Sequence, residues 1–303
     1  MCGIVGYVGS AQAYPILLAA LGRLEYRGYD SAGIATLAGN GTLEIRRAKG
    51  KLENLRALVA NSPPAGHIGI GHTRWATHGR PSEENAHPHK AGPVAVIHNG
   101  IVENFVELRT ALIARGHQLS SQTDTELVAH LVEERVTKGA RLVDAVRETV
   151  RVLRGSFSIV VMSETEPAKL VAAKTATPLV IGLGKHENFL ASDIPAILEH
   201  TRETIVLDDR EIAEVSAQGV TVTTFDGDIV TRAPRHIEWD AAAATKGGFK
   251  HFLRKEIDEQ PQAWIDTLAG RAAPGAGSVR FEHELLPNGG APAIGRIVIL
   301  GMG

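Results

Sequence analysis

Leu17, Leu18, Leu21 and Leu24 recur at helical spacing and predict a helix over roughly 12–26. Just before them, the apolar run GIVGYV at 3–8 reads as a short buried strand. Two β-rich runs flank Gly39-Asn40-Gly41 in GIATLAGNGTLEIRRA, which signals a hairpin. Leu52, Leu55, Leu58 and Val59 predict a short helix, stopped by Pro63-Pro64. HIGIGHTRWA and VAVIHNG are apolar strands that end in polar residues. Three helices follow at about 104–115, 124–138 and 140–153, each stopped near a glycine (Gly116, Gly139, Gly155). From Phe157 to Val230 the pattern turns to strand after strand: FSIVVM, KLVAAK, PLVIGLG, NFLAS, TIVLDD, VTVTTF and DIVTR. Hairpin strands, then helices, then more strands indicate an α+β domain with sheets packed inside helical layers.

The pattern shifts near residue 240, which divides the chain into a domain over 2–240 and a segment over 241–303. KGGFKHFLRKEIDEQPQAWIDTLAG is charged and helical in character, with Pro261 as an interruption. RAAPGAGSV and LLPNGGAPAIG have the Gly and Pro content of linkers. RIVILGMG begins as a buried strand and stops at a glycine turn, so a second half is expected beyond it. Phe249, Phe252 and Trp264 are apolar positions that would need a neighbour to cover them.

Composition narrows the classes. The 303 residues are 44% hydrophobic and 22% charged with a formal net charge of −2, which makes no case for a nucleic-acid or membrane-surface binder. No apolar run approaches the ~20 residues that span a bilayer, and no secretory signal opens the chain, so a reducing cytoplasmic setting is expected. The single cysteine, Cys2, excludes an internal disulfide and a cysteine-only metal site.

Cys2 stands directly behind Met1. A small buried side chain or an inert thiol could sit anywhere. Removal of Met1, by contrast, would give Cys2 a free α-amine of pKa near ~8 beside its own thiol, a base next to a nucleophile. Such a nucleophile needs an oxyanion hole. In VIHNGIVEN, Asn99 offers a side-chain NH₂ and Gly100 a backbone N–H open to close approach, although Asn-Gly also makes ordinary turns. GHTRWATHGRP gathers Arg74, Trp75, Thr77 and His78 after an apolar strand, and Arg74 could pair bidentately with a carboxylate. In QTDTE, Asp124 sits at a helix start, where it could cap the helix or bind an ammonium. EYRGYDSAG is a dense polar turn in which a close approach of backbone is expected. His72, His78, His87 and His89 fall within 18 residues; zinc and loop hydrogen bonding were both open, and hydrogen bonding is the expectation. The G-x-G of VIGLGKHEN lacks a third glycine and a following helix, so it is not read as a nucleotide loop.

CGIVG, EYRGYDSAG, GHTRWATHGRP followed by NAHPH, HNGIVEN and TDTE occur in this order and resemble the glutamine–fructose-6-phosphate aminotransferase (isomerising) family. The resemblance covers 2–240 as a glutaminase domain and continues into KGGFKHFLRKEIDEQP, the entry to an isomerase half. It implies a four-layer αββα sandwich of the N-terminal-nucleophile hydrolase type, followed by a truncated C-terminal α/β segment. It also implies that Cys2 is the nucleophile with its own α-amine as base, and that Asn99 and Gly100 form the oxyanion hole. Arg74 would hold the glutamine carboxylate beside Thr77 and His78, and Asp124 the ammonium. Trp75 would belong to a covering loop and Arg27 to the wall of the site. No cofactor or metal is implied. The partners implied are L-glutamine, fructose 6-phosphate through the absent half, and further copies of a full-length chain. Lys174, Ala176 and Thr177 depart from the family's usual arginine and Gly-Ser pair. A glutaminase serving another aminosugar synthase, and an inert glutamine-binding module, are the alternatives.

Overall fold

Every residue of the first strand is buried, and the sheet that contains it shows why. The computed structural model describes residues 2–76, 79–238, 249 and 252–268. The chain divides into two units, 1–245 and 246–303, each described by itself. The first begins with β1 (Gly3–Val8), α1 (Ala13–Arg23), β2 (Ser31–Leu37), β3 (Leu43–Lys49), α2 (Leu52–Asn61) and β4 (Ile68–Arg74). Next come β5 (His89–Ala91), β6 (Val94–Val102), α3 (Phe105–Ala114), α4 (Asp124–Thr137) and α5 (Leu142–Val152). Nine strands complete it: β7 (Gly155–Ser163), β8 (Lys169–Lys174), β9 (Val180–Leu183), β10 (Asn188–Ala191), β11 (Glu203–Val206), β12 (Glu211–Ser216), β13 (Val220–Thr224), β14 (Ile229–Val230) and β15 (Arg235–His236).

The strands form an eight-stranded sheet, β15-β11-β9-β10-β1-β4-β2-β3, and a seven-stranded sheet, β14-β13-β12-β8-β7-β6-β5. Among the described residues all paired strands run antiparallel, for example β1 with β4, where Gly3 faces Thr73. Three apolar layers hold the unit together. Ile4, Ala95, Ile97, Val160 and Leu170 belong to the layer between the sheets. Val5, Leu17, Leu21, Leu55 and Val59 pack α1 and α2 on the eight-stranded sheet. Val96, Val128, Val132, Val146 and Ile159 pack α4 and α5 on the seven-stranded sheet. The result is the expected four-layer αββα sandwich. A strand covered on both faces has no polar side to show, which is why β1 reads as a continuous apolar run.

Local signals explain most elements. In α5, Leu142, Val146, Thr149 and Val150 form one buried stripe. Asn40 Oδ1 accepts the Thr42 N–H at 3.1 Å in the β2–β3 turn, and Gly41 there has φ +83°. Two departures have physical causes. The first predicted helix ends at Arg23, and Glu25–Arg27 form a 3-10 turn because the chain must then pass close to β4, as shown below. β12 was not expected, since Glu211 and Glu214 interrupt its apolar pattern. Arg232 pairs with Glu211 at 2.6 Å and Lys169 with Glu214 at 3.1 Å, which allows a central strand there. The G-x-G stretch lies in the β9–β10 hairpin.

In the second unit, α6 (Phe252–Leu268) runs through Pro261 rather than stopping at it. A proline costs one intrahelical hydrogen bond but need not end a helix. Trp264 is exposed. Phe249 is half-buried, and the other expectations for this segment, including the strand RIVIL, lie outside the described residues.

Candidate active site

Cys2 immediately precedes β1, so the ladder between β1 and β4 delivers its thiol to the carboxyl end of β4. Its Sγ accepts the Trp75 N–H at 3.2 Å and lies 3.5 Å from the Trp75 carbonyl oxygen. Burial raises the thiol pKa above its ordinary value, opposed by the Trp75 N–H. A thiol in this setting needs a base to become a nucleophile.

The seven-stranded sheet brings the second element. β6 alternates between its two faces, placing Asn99 on the side of Ala95 and Ile97, toward the other sheet. Asn99 Nδ2 donates to the Cys2 carbonyl oxygen at 3.0 Å. Asn99-Gly100 is therefore not a hairpin turn; both residues continue the β6–β7 ladder, opposite Ser158 and Phe157. Gly100 has φ +119°, and a Cβ there would lie 1.9 Å from the Ser156 carbonyl oxygen. No other residue type fits without moving the backbone.

His72 was read only as part of a histidine cluster, yet it sets the orientation of Asn99. Its Nε2 lies 3.0 Å from both Asn99 Oδ1 and the His98 carbonyl oxygen. Two acceptors require Nε2 to carry the proton. The Asn99 oxygen is thus occupied, and its NH₂ is turned to Cys2. Burial pushes the His72 pKa down to about 3, so the ring is neutral. His87 Nδ1 stands 3.2 Å from His72 Nδ1 and completes the relay. His89 Nε2 lies 2.9 Å from Thr123 Oγ1. These three histidines are engaged with protein partners, in line with the hydrogen-bonding reading.

Arg74 ends β4, is buried, and donates through Nη2 to the Gly79 carbonyl oxygen at 3.0 Å. Burial lowers its pKa, opposed by Asp30, Cys2 and Asp124, so these groups share one electrostatic neighbourhood. Asp124 is buried in the first turn of α4, where Thr123, not Asp124, is the cap. Asp124 Oδ2 instead accepts the Val102 N–H at 2.8 Å, tying α4 to the end of β6. Trp75 is 48% exposed, with its ring edge-on to Tyr29 at 5.5 Å. Thr77 and His78 lie outside the described residues.

Arg27 pairs with Asp193, which also accepts the Tyr26 hydroxyl at 2.7 Å. The turn around it passes close to the site: a Cβ on Gly28 would lie 2.7 Å from the Arg74 carbonyl carbon. Two residues on, Asp30 accepts the Ala76 N–H through Oδ2 and donates its own N–H to the Arg74 carbonyl oxygen at 3.1 Å. Asp30 thus fixes Arg74–Ala76 from behind, a role its sequence context did not disclose. Of the residues departing from the family pattern, Lys174 pairs with Asp209, and Thr177 Oγ1 lies 2.6 Å from Ser158 Oγ, opposite Asn99.

A glutamine amidotransferase domain family matches residues 72–199. The glutamine–fructose-6-phosphate aminotransferase (isomerizing) of Symbiobacterium thermophilum is 47% identical over 305 residues, spanning 100% of this chain and 50% of the relative. That of Aquifex aeolicus is 50% identical over 272 residues, 89% of this chain and 45% of the relative. The chain spans about half the length of the curated relatives it matches. Among solved structures, the glutamine phosphoribosylpyrophosphate amidotransferase from B. subtilis, complexed with ADP and GMP, is similar at a TM-score of 0.65 and 25% identity. The match covers 75% of this chain and 50% of that one. A glutamine aminotransferase class-II domain protein from Silicibacter pomeroyi shares the fold at a TM-score of 0.52 and 16% identity, over 74% of this chain and 99% of that one. The chain carries a glutamine amidotransferase domain, and its likeness to the amino-terminal half of glutamine–fructose-6-phosphate aminotransferases runs its whole length.

Proposed function

We propose that residues 2–240 hydrolyse L-glutamine to glutamate and ammonia with Cys2 as nucleophile. The observation that carries this reading is the meeting of the Cys2 thiol, the Trp75 N–H and the Asn99 amide at the facing ends of β4 and β6. Once Met1 is removed, the Cys2 α-amine takes the Sγ proton as Sγ bonds to the side-chain carbonyl carbon of glutamine. The oxyanion is held by Asn99 Nδ2 and the Gly100 N–H, donors of a kind worth roughly 3–4 kcal/mol each. Return of the proton to the leaving nitrogen breaks the C–N bond and frees ammonia. Water then cleaves the thioester and releases glutamate. Arg74 takes the substrate carboxylate with Thr77 and His78 beside it, and Asp124 takes the ammonium. Trp75 covers the site, and Arg27, locked to Asp193, stiffens its wall.

Residues 241–303 are read as leading toward a sugar-phosphate half, where ammonia would convert fructose 6-phosphate to glucosamine 6-phosphate in a cytoplasmic oligomer. The likeness along the chain to enzymes bearing that name supports this assignment. The test is intact mass after treatment with 6-diazo-5-oxo-L-norleucine. Loss of Met1 and a single Cys2 adduct, blocked by excess glutamine, is expected. Protein lacking Met1 that binds glutamine yet takes no adduct would leave an inert binding module instead.

A further inference from the structure

A second cluster of chemistry lies on α4, six residues beyond Asp124 and so about 9 Å along the helix at ~1.5 Å per residue. His117, on the loop after α3, and His130, on α4, face each other with their Nδ1 atoms 3.0 Å apart. His117 Nε2 lies 2.9 Å from Glu134 Oε1. Arg115 grips both oxygens of that carboxylate, at 2.6 and 3.1 Å. An ionised carboxylate only accepts hydrogen bonds, so His117 donates from Nε2, and in the neutral ring Nδ1 then turns a lone pair toward His130. Glu133 follows His130 by one helical turn. One ligand atom from each of His117, His130 and Glu133 lies within 4.8 Å of the others.

We propose that His117 Nδ1, His130 Nδ1 and the Glu133 carboxylate form a site for a divalent transition-metal ion of the zinc class. Two imidazoles and a carboxylate are a donor set that suits such an ion and leaves a fourth position for water. The carboxylate behind His117 is the partner that orients and polarises a metal-bound imidazole. Tetrahedral bonds of ~2.0–2.1 Å set ligand nitrogens ~3.3–3.4 Å apart, so the rings must separate slightly and turn to aim both lone pairs at one point. Loading asks His130 to move its proton from Nδ1 to Nε2 and releases none. All three ligands are partly exposed, which gives the ion an entry path. The bound ion would pin the loop after α3 to the helix that carries Asp124.

The test is titration of Zn(II) and Co(II) into the untagged chain carrying Cys2→Ser, which keeps the thiol out of the measurement. One equivalent should bind, and Co(II) should show the visible bands of a tetrahedral site. His117→Gln and His130→Gln should each lose that binding, and Glu134→Gln should weaken it about 10–100-fold. Circular dichroism without metal checks that each variant folds; where a histidine variant does not, Glu133→Gln and Glu134→Gln decide. No binding to the parent, or equal affinity in the folded variants, would overturn the proposal.

Discussion

The two halves of β6 do opposite work on one backbone. In Val94–Ile97 every side chain is apolar: Val94 and Val96 pack under the helices, Ala95 and Ile97 between the sheets. In His98-Asn99-Gly100 the alternation continues but the chemistry changes. His98 faces Thr125 on α4 at 3.0 Å, Asn99 faces Cys2, and Gly100 presses against the Ser156 carbonyl oxygen. Polar groups at buried strand positions destabilise unless each finds a partner. Here the partners come from Cys2 ahead of β1, from β4 and from α4, so the polar half fits only once both sheets are assembled. The apolar half contributes stability by burial alone.

Substitutions can pull these roles apart. Gly100→Ala should have the largest effect, since φ +119° and the Ser156 contact oppose any side chain. A loss of more than ~3 kcal/mol in urea unfolding is expected, together with loss of labelling by the diazo-ketone. Unchanged stability would show that β6 bends freely there. Next come two truncations meant to give opposite readouts. Ile97→Ala should cost about 2–5 kcal/mol of stability and leave the Cys2 labelling rate near its parent value. Asn99→Ala should cost only about 1–3 kcal/mol, from the partners it leaves at Cys2 and His72, yet slow glutamine hydrolysis ~10²–10³-fold. Equal effects of the pair on both readouts would erase the distinction.

The last comparison concerns pH. Burial holds His72 and His89 near pKa 3 in the folded chain, against ~6.5 when unfolded. Between these values the unfolded chain binds the extra protons. Stability is therefore full above ~6.5 and falls as pH drops toward ~3, by up to about 1.4 kcal/mol per pH unit for each histidine. Melting temperatures measured from pH 7 to pH 4 should decline accordingly, and a flat profile would contradict neutral buried rings.

Much of the sandwich was legible because burial on both faces leaves continuous apolar runs in β1, β7 and β8, and because one-sided burial writes the stripe of α5. β12 escaped because the partners of its glutamates, Lys169 and Arg232, are distant in sequence. The site was legible where position itself carries chemistry, as at Cys2, or where motif wording does, as at Asn99 and Arg74. Its supports were not. Nothing local links His72 to Asn99, Asp124 to the Val102 N–H, or Arg27 to Asp193, 166 residues away. Three-dimensional pairing alone defines those roles.

The register of β1, with Gly3 opposite Thr73 and Cys2 one step outside, also has a practical consequence for production of the protein. A purification handle fused ahead of Cys2 and left in place would turn the α-amine into an amide, while folding and melting temperature could remain normal. On the proposed mechanism such preparations would look intact by physical assay and be chemically silent. The handle belongs elsewhere, or must be released by a protease that leaves cysteine as the first residue.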